Sequence, residues 1–276
     1  MHSFIPPHRF FAYLTWTEIR DMPNKENVVI VQPVGAIEQH GPHLPLIVDS
    51  AIATGVLGKA LELLPEDIPV YALPTQYYGK SNEHINFPGT LTLSAQTLLA
   101  VLKEVGESIY RAGFRKLVFL NAHGGQPEVI NIIARDLHIQ YPDLMVFPLF
   151  VWRVANASGE LLKQQDHPEL SIHADMGETS LLLSLLPEQV HMERAVKEYP
   201  QGLPGADSSL SLEGKLPFAW ATHELSQSGV FGDPTGATAE IGDRLLDSLA
   251  QSWAQVLQDV YDFSGAKNSD ILPPLT

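Results

Sequence analysis

The 276-residue chain contains no cysteine. Disulfides, thiolate zinc sites, iron–sulfur clusters and a cysteine nucleophile are excluded together. Basic residues are also scarce: 17 Lys and Arg stand against 32 Asp and Glu, a formal net charge of −15. Phosphate-rich surfaces reward basic patches, so neither nucleic acid nor an anionic membrane is expected as a partner. No apolar run reaches the ~18 residues of a membrane span. The opening stretch MHSFIPPHRFFAYLTW lacks the apolar core and small-residue cleavage site of a signal peptide, and a cytoplasmic protein is the simplest expectation. A GxSxG elbow, a P-loop, a GxGxxG fingerprint, internal repeats and low-complexity segments are missing too.

What is present is an ordinary globular composition, 45% hydrophobic and 18% charged, long enough to bury a sizeable core as one domain over 1–276. Residues 28–34 (VVIVQPV), 70–73, 116–120 (KLVFL) and 144–150 (LMVFPLF) are short β-branched or aromatic runs and read as buried strands. Helical patterns cover 50–64, 94–112, 127–140, 178–186 and 237–260. Ser50 and Ser94 are placed to cap their helices, and Pro127 suits a first turn. This alternation predicts an α/β fold whose mostly parallel sheet is covered by helices. Residues 187–235, rich in Pro, Gly and Ser, read as an irregular excursion over the surface.

Three clusters carry potential chemistry. The stretch GAIEQHGPHLPLIVDS (35–50) holds Glu38, His40, His43 and Asp49 directly after the first strand. Ligands in open α/β sheets bind beyond the carboxyl ends of strands. On extended backbone, Glu38 and His40 share a face, while Asp49 precedes a helix, where it can cap or bind metal. The second cluster, NAHGGQ (121–126), puts His123 in the equivalent place after strand KLVFL. The third, IHADMGETS (172–180), brings His173, Asp175 and Glu178 to a helix start. Ser81 and His84 lie in a polar loop on the same edge and are candidates for substrate contact.

Jointly, Glu38, His40, Asp49, His123 and Glu178 offer nitrogen and carboxylate ligands suited to Zn, Mn or Fe. Five ligands exceed the three that one open catalytic zinc uses. They suit two divalent ions about 3.5–4 Å apart, with a bridging hydroxide that attacks a carbonyl. Two other readings stand beside this one. A mononuclear non-haem iron oxygenase would use His40, Asp49 and His123 alone; a non-catalytic binding protein with a degenerate site would need no metal.

At these residues the chain resembles the creatininase (creatinine amidohydrolase) family. The matching elements are GAIEQHGPHLPLIVD (35–49), YGKSNEHINFPGTLT (78–92), LNAHGG (120–125) and HADMGETS (173–180), in the family's order. The resemblance implies a three-layer α/β/α sandwich, a binuclear Zn, Mn or Fe centre, homo-oligomers that are frequently hexamers, and hydrolysis of C–N bonds. Carried over by motif, Glu38 and His123 hold one metal, His40 holds the other, and Asp49 bridges them. His173 matches the proton-transferring histidine and Ser81 a substrate-contacting serine. Creatininases themselves read His-Tyr-Glu where this chain has His123-Gly124-Gly125. The Glu that ligates their second metal is therefore absent, and Glu178 is expected to replace it. The aromatic wall is reduced: Gly124 stands in place of the Tyr, PELSI (168–172) lacks a Trp, and Trp152 remains. Gly124 and Trp152 are thus expected to border a substrate that is a small amide, formamide or cyclic amide.

Overall fold

The computed structural model describes residues 4–154, 166–205, 208–213 and 216–265. The excursion expected over 187–235 includes residues 206–207 and 214–215, which lie outside that set. Strands β1 (Val29–Val34), β2 (Val70–Ala72), β3 (Lys116–Asn121) and β4 (Met145–Phe150) form one sheet in the order β2-β1-β3-β4, with every pair parallel. Side chains alternate between two apolar layers, as a period of two requires. Val29, Val31, Val118 and Leu120 face one core; Ile30, Val34, Leu117 and Phe119 face the other.

The first core is covered by α2 (Val48–Leu63), with two helices from the second half of the chain, α5 (Met176–Leu185) and α7 (Ala239–Asp262). The opposite face carries α3 (Ala95–Arg111) and α4 (Pro127–Gln140), with Ile19 of the short N-terminal helix α1 (Trp16–Asp21) packed at its margin. Helices thus cover both faces, the three-layer arrangement. No helix among the described residues is long and apolar enough to cross a membrane.

Two local details depart from expectation. Strand β4 is half-buried along its whole length and is one of the two edge strands of the sheet among the described residues. Helix α2 begins at Val48 rather than Ser50, so Asp49 sits inside the first turn. Ser50 does not cap it: its hydroxyl donates to the Ala36 carbonyl at 3.1 Å. Ser94 does cap α3, accepting from the Thr97 N–H, and Pro127 opens α4.

Pro33 lies within the central strand β1, where a missing N–H ordinarily breaks a ladder. Its carbonyl accepts from Gln76 N at 2.9 Å. A residue's N–H and C=O point to the same side of a strand, so the absent donor faces the flank where β2 has already ended at Ala72. The proline therefore removes no ladder bond, and β1 runs on to deliver the loop that follows it.

Candidate metal centre

The loops after β1, β2 and β3 meet above the carboxyl edge of the sheet, held by one side chain. Gln126 accepts from Lys80 N (2.9 Å) and donates to Gly35 O (3.1 Å) and Asn121 Oδ1 (2.9 Å). Around this staple, all five expected ligands converge. His40 Nε2 lies 3.8 Å from Glu38 Oε1, 3.7 Å from Asp49 Oδ1 and 3.8 Å from Glu178 Oε2. His123 Nδ1 lies 3.2 Å from Glu38 Oε2 and 3.5 Å from Asp49 Oδ2. All five side chains are buried.

Hydrogen bonding fixes the tautomers. A carbonyl can only accept, so a ring nitrogen beside one must carry the proton. His40 Nδ1–H donates to Glu38 O at 3.2 Å, leaving Nε2 bare. His123 Nε2–H donates to Lys80 O at 2.9 Å, leaving Nδ1 bare. Both bare nitrogens therefore point at carboxylates, an arrangement that repels unless a proton or cation lies between. His40 Nε2 and Asp49 Oδ2 are buried atoms with no hydrogen-bond partner. Unpartnered polar atoms of this kind are costly and rare.

The electrostatics follow. Burial alone would lower the His40 pKa, but Glu178, Asp49 and Glu38 outweigh it and raise it to about 9. Burial lifts Glu178 to about 8 and also raises Asp49, the latter helped by the Glu38 charge. Glu38 is held well below the usual carboxylate range, since His123, His84 and His40 overcome its burial. The nest thus keeps protons where divalent ions would replace them. The donor set of two bare imidazole nitrogens and three carboxylates fits such ions.

His173 approaches from the other side. Its Nε2–H donates to the Gln39 carbonyl at 2.8 Å, so Nδ1 is bare and lies 3.8 Å from Glu38 Oε1. Burial, then the nearby His40 and His84, push its pKa well below the ordinary value, and it is a neutral base at pH 7. The neighbouring Ala174 has φ +53°, in the left-handed region that costs a non-glycine residue ~1–2 kcal/mol. That twist separates His173, aimed at the nest, from Asp175, which turns away to cap α5 by accepting from Gly177 N and Glu178 N. The Ala174 N–H donates to Glu178 Oε2 at 2.7 Å.

Three participants were not foreseen in these roles. Gln39, between two expected ligands, accepts from Gly41 N at 2.9 Å through Oε1 and donates from Nε2 to His84 Nδ1 (2.8 Å) and Gly229 O (3.1 Å). His84 is stacked on His173 with centroids 4.3 Å apart, and its Nε2 lies 3.5 Å from Glu38 Oε1. Glu83 reaches His123 Nε2 at 3.2 Å. The signal for both Glu83 and His84 was their adjacency in SNEH (81–84), a motif that composition alone leaves as surface loop.

The remaining expected residues lie as follows. Ser81 is fully buried and its hydroxyl donates to Glu38 Oε2, so it braces that carboxylate. His43 turns away from the nest, with Nε2 at 2.9 Å from Thr179 Oγ1. Gly124 faces Glu213, whose Oε1 lies 3.9 Å from where a Cβ would sit. Trp152, just past β4, packs partly buried against the apolar core beneath α2 and α7.

A parallel sheet with helices on both faces and a buried carboxylate–histidine nest at its carboxyl edge defines an α/β protein with a candidate metal-binding site. The chain matches the family model Creatininase, creatinine amidohydrolase, over residues 12–257, and it belongs to the creatininase family. It is 31% identical over 254 residues to the mycofactocin precursor peptide peptidase of Mycolicibacterium smegmatis, covering 90% of this chain and 92% of that one. It is 28% identical over 267 residues to the creatinine amidohydrolase of Pseudomonas putida, covering 91% and 97%. A solved creatinine amidohydrolase superposes with a TM-score of 0.76 at 27% identity, covering 93% and 99%. Solved creatininases include a Zn–Zn form and an Mn form.

Proposed function

We propose that this chain is a hydrolase of a C–N bond that works with two divalent ions held by the nest. Glu38 and His123 would hold one ion, His40 and Glu178 the other, and Asp49 would bridge them. The observation that carries this reading is the pair of buried, unpartnered atoms, His40 Nε2 and Asp49 Oδ2, aimed into a cluster of carboxylates. Five ligands also exceed what a mononuclear iron site would use, which disfavours the oxygenase reading. Paired divalent ions supply an acidified water and Lewis-acid polarisation of a carbonyl.

The chain's own residues do the rest. His173 presents its bare Nδ1 to the nest, takes the proton that water gives up on attack, and returns it to the leaving nitrogen. Gln39 holds that histidine in the required tautomer through its carbonyl. Ser81 fixes the orientation of Glu38. Gly124, where an added Cβ would lie 3.9 Å from Glu213 Oε1, leaves room for the acyl group. A small amide, formamide or cyclic amide fits the reduced aromatic wall. The relative named for a precursor peptide makes a peptide bond the second candidate.

The test is elemental analysis of protein purified without chelator, followed by creatinine, formamides and short peptides as substrates. Two metals per chain and metal-dependent hydrolysis of one of these are expected. His173→Ala should retain both ions and lose turnover by at least about a hundredfold, within the usual contribution of acid–base groups. Full activity in that variant would remove His173 from the role.

A further inference from the structure

The two nitrogens of His123 face opposite ways. Nδ1 looks into the nest, while Nε2 meets both Lys80 O and, at 3.2 Å, Glu83 Oε1. Glu83 belongs to the 3-10 turn Asn82–His84. To reach the ring it crosses the space above Gly125. A Cβ built on Gly125 would lie 1.7 Å from Glu83 Oε1, 2.7 Å from Glu83 Cδ and 2.6 Å from His123 Nε2. Contacts under 3.0 Å do not survive, so any side chain at 125 evicts this carboxylate. Gly125 is not among the residues with positive φ. The demand for glycine there is one of space and not of backbone conformation.

We propose that Glu83 is the positioning residue for His123, and that Gly125 is glycine to let it through. The carboxylate accepts the Nε2–H jointly with Lys80 O. It thereby locks the ring with Nδ1 bare toward Glu38 and Asp49 and makes that nitrogen a stronger donor. Carboxylates behind a ligating histidine act this way at metal sites generally, and losing one costs about 10–100-fold in metal affinity or activity. Residues 83 and 125, forty-two positions apart, therefore behave as one unit. A larger residue at 125 and a carboxylate on His123 exclude each other.

The inference rests on the metal-site reading for its size, and the test separates the two. Zn2+ affinity is measured by competition with a chromophoric chelator for the wild type, Glu83→Ala, Glu83→Gln, Gly125→Ala and the Glu83→Ala/Gly125→Ala double variant. Thermal melts establish that each is folded. Glu83→Ala should weaken Zn2+ binding about 10–100-fold, and Glu83→Gln, whose amide oxygen still accepts, should recover most of it. Gly125→Ala should lose about as much as Glu83→Ala, and the double variant no more than either. Additive losses in the double variant, or a Glu83→Ala affinity within twofold of wild type, would overturn the proposal. A rise in Zn2+ affinity in Gly125→Ala would do so as well.

Should the wild type bind no Zn2+, the proposed function fails, and the positioning claim is read in the chelator-treated protein by NMR. The His123 Nε2–H resonance, assigned by its loss in His123→Gln, should move upfield in both Glu83→Ala and Gly125→Ala. A resonance unmoved by either change would sink the claim independently.

Discussion

The strand-end nest and the long irregular segment after α5 meet at the same histidines but are built on opposite principles. In the nest, Glu38, His40 and His123 follow strands within a few residues, and Asp49 and Glu178 stand in the first turns of α2 and α5. Regular backbone fixes their origins. Among its described residues, the segment 187–235 has short turns, the one-turn helix α6 (Thr222–Leu225) and isolated bridges such as His173↔Phe231 and Glu198↔Gly232. Yet it supplies Gly229 O to Gln39 and Thr222 Oγ1 to His84 at 2.8 Å, and it pairs its Phe231 backbone with His173. The candidate ligands come from short loops at strand ends and from the first turns of helices. The orientation of the proton-handling histidines comes from the irregular ones. The two should be separable by mutation.

The largest effect belongs to the nest. Asp49→Ala removes the carboxylate facing both His40 and His123. Outer-sphere losses already cost about 10–100-fold in metal affinity, so this one should cost at least about a hundredfold and abolish turnover with it. Metal content and activity would fall together, as measured by elemental analysis and rate.

On the irregular side the opposite split is expected. Gly229 has φ +84°, and a Cβ there would lie 2.0 Å from Gln39 Oε1. Gly229→Val adds strain of ~1–2 kcal/mol and displaces the Gln39 side chain, whose Nε2 donates to His84 Nδ1 and so holds the ring stacked on His173. Misplacement by about 1 Å at a reacting group costs up to about a hundredfold. Turnover should therefore fall about 10–100-fold while bound metal stays at the wild-type level. Loss of metal in parallel would merge the two regions into one.

A milder version acts one step further out. The Glu198 carboxylate accepts from Gln227 N and Ser228 N, both at 2.8 Å, and from the Ser228 hydroxyl, shaping the turn that presents Gly229. Glu198→Gln keeps an acceptor but loses the charge, which roughly halves such bonds. A drop of on the order of 1 kcal/mol in stability and a few-fold loss of turnover are expected, again with metal unchanged.

These contrasts match what could be read before the structure. The β-branched runs of β1 and β3 declared strands because both faces are buried and nothing polar interrupts them. The ligand set declared itself because Glu38 and His40 are dense in a loop rich in proline and glycine, with Asp49 just beyond it in the first turn of α2. Gln39 was silent because an amide has no chemistry of its own. Its role exists only once Gly229 and His84, 190 and 45 residues away, are folded against its side chain. Gly125, read as the loss of a ligand, marks in the structure the space that Glu83 occupies. Sequence spacing carries local geometry; it does not carry which distant residue fills a missing side chain's volume. Ser50 misled for a similar reason, since the Ala36 carbonyl, fourteen residues back, claimed its hydroxyl.

The smallest effect on turnover belongs to a histidine at the border of the two regions, whose signature is in stability. His43 lies in the ligand-rich loop, yet its ring is fully buried against Thr179, and Nδ1 has no partner. Its backbone carbonyl meanwhile accepts from His191 N of the irregular segment at 2.8 Å. Burial, helped by the His40 charge, lowers its pKa to about 4, from an ordinary 6.5. Below pH 6.5 the unfolded chain therefore binds a proton that the folded chain refuses. Stability rises with pH wherever the unfolded state holds more protons, so this group costs nothing above about pH 6.5. Its penalty grows as pH falls toward 4 and is constant below that. With allowance for solvent screening, the penalty is on the order of 1–2 kcal/mol. His43→Gln can keep the Thr179 bond and cannot titrate. In chelator-treated protein, the difference in denaturation midpoint between wild type and variant should be level from pH 8 to 6.5, then move in the variant's favour down to pH 4. The carboxylates of the nest titrate in both proteins and cancel in the difference. A difference independent of pH would mean that His43 reaches solvent or another acceptor, and that the loop is less closed at its irregular border than at its metal-facing side.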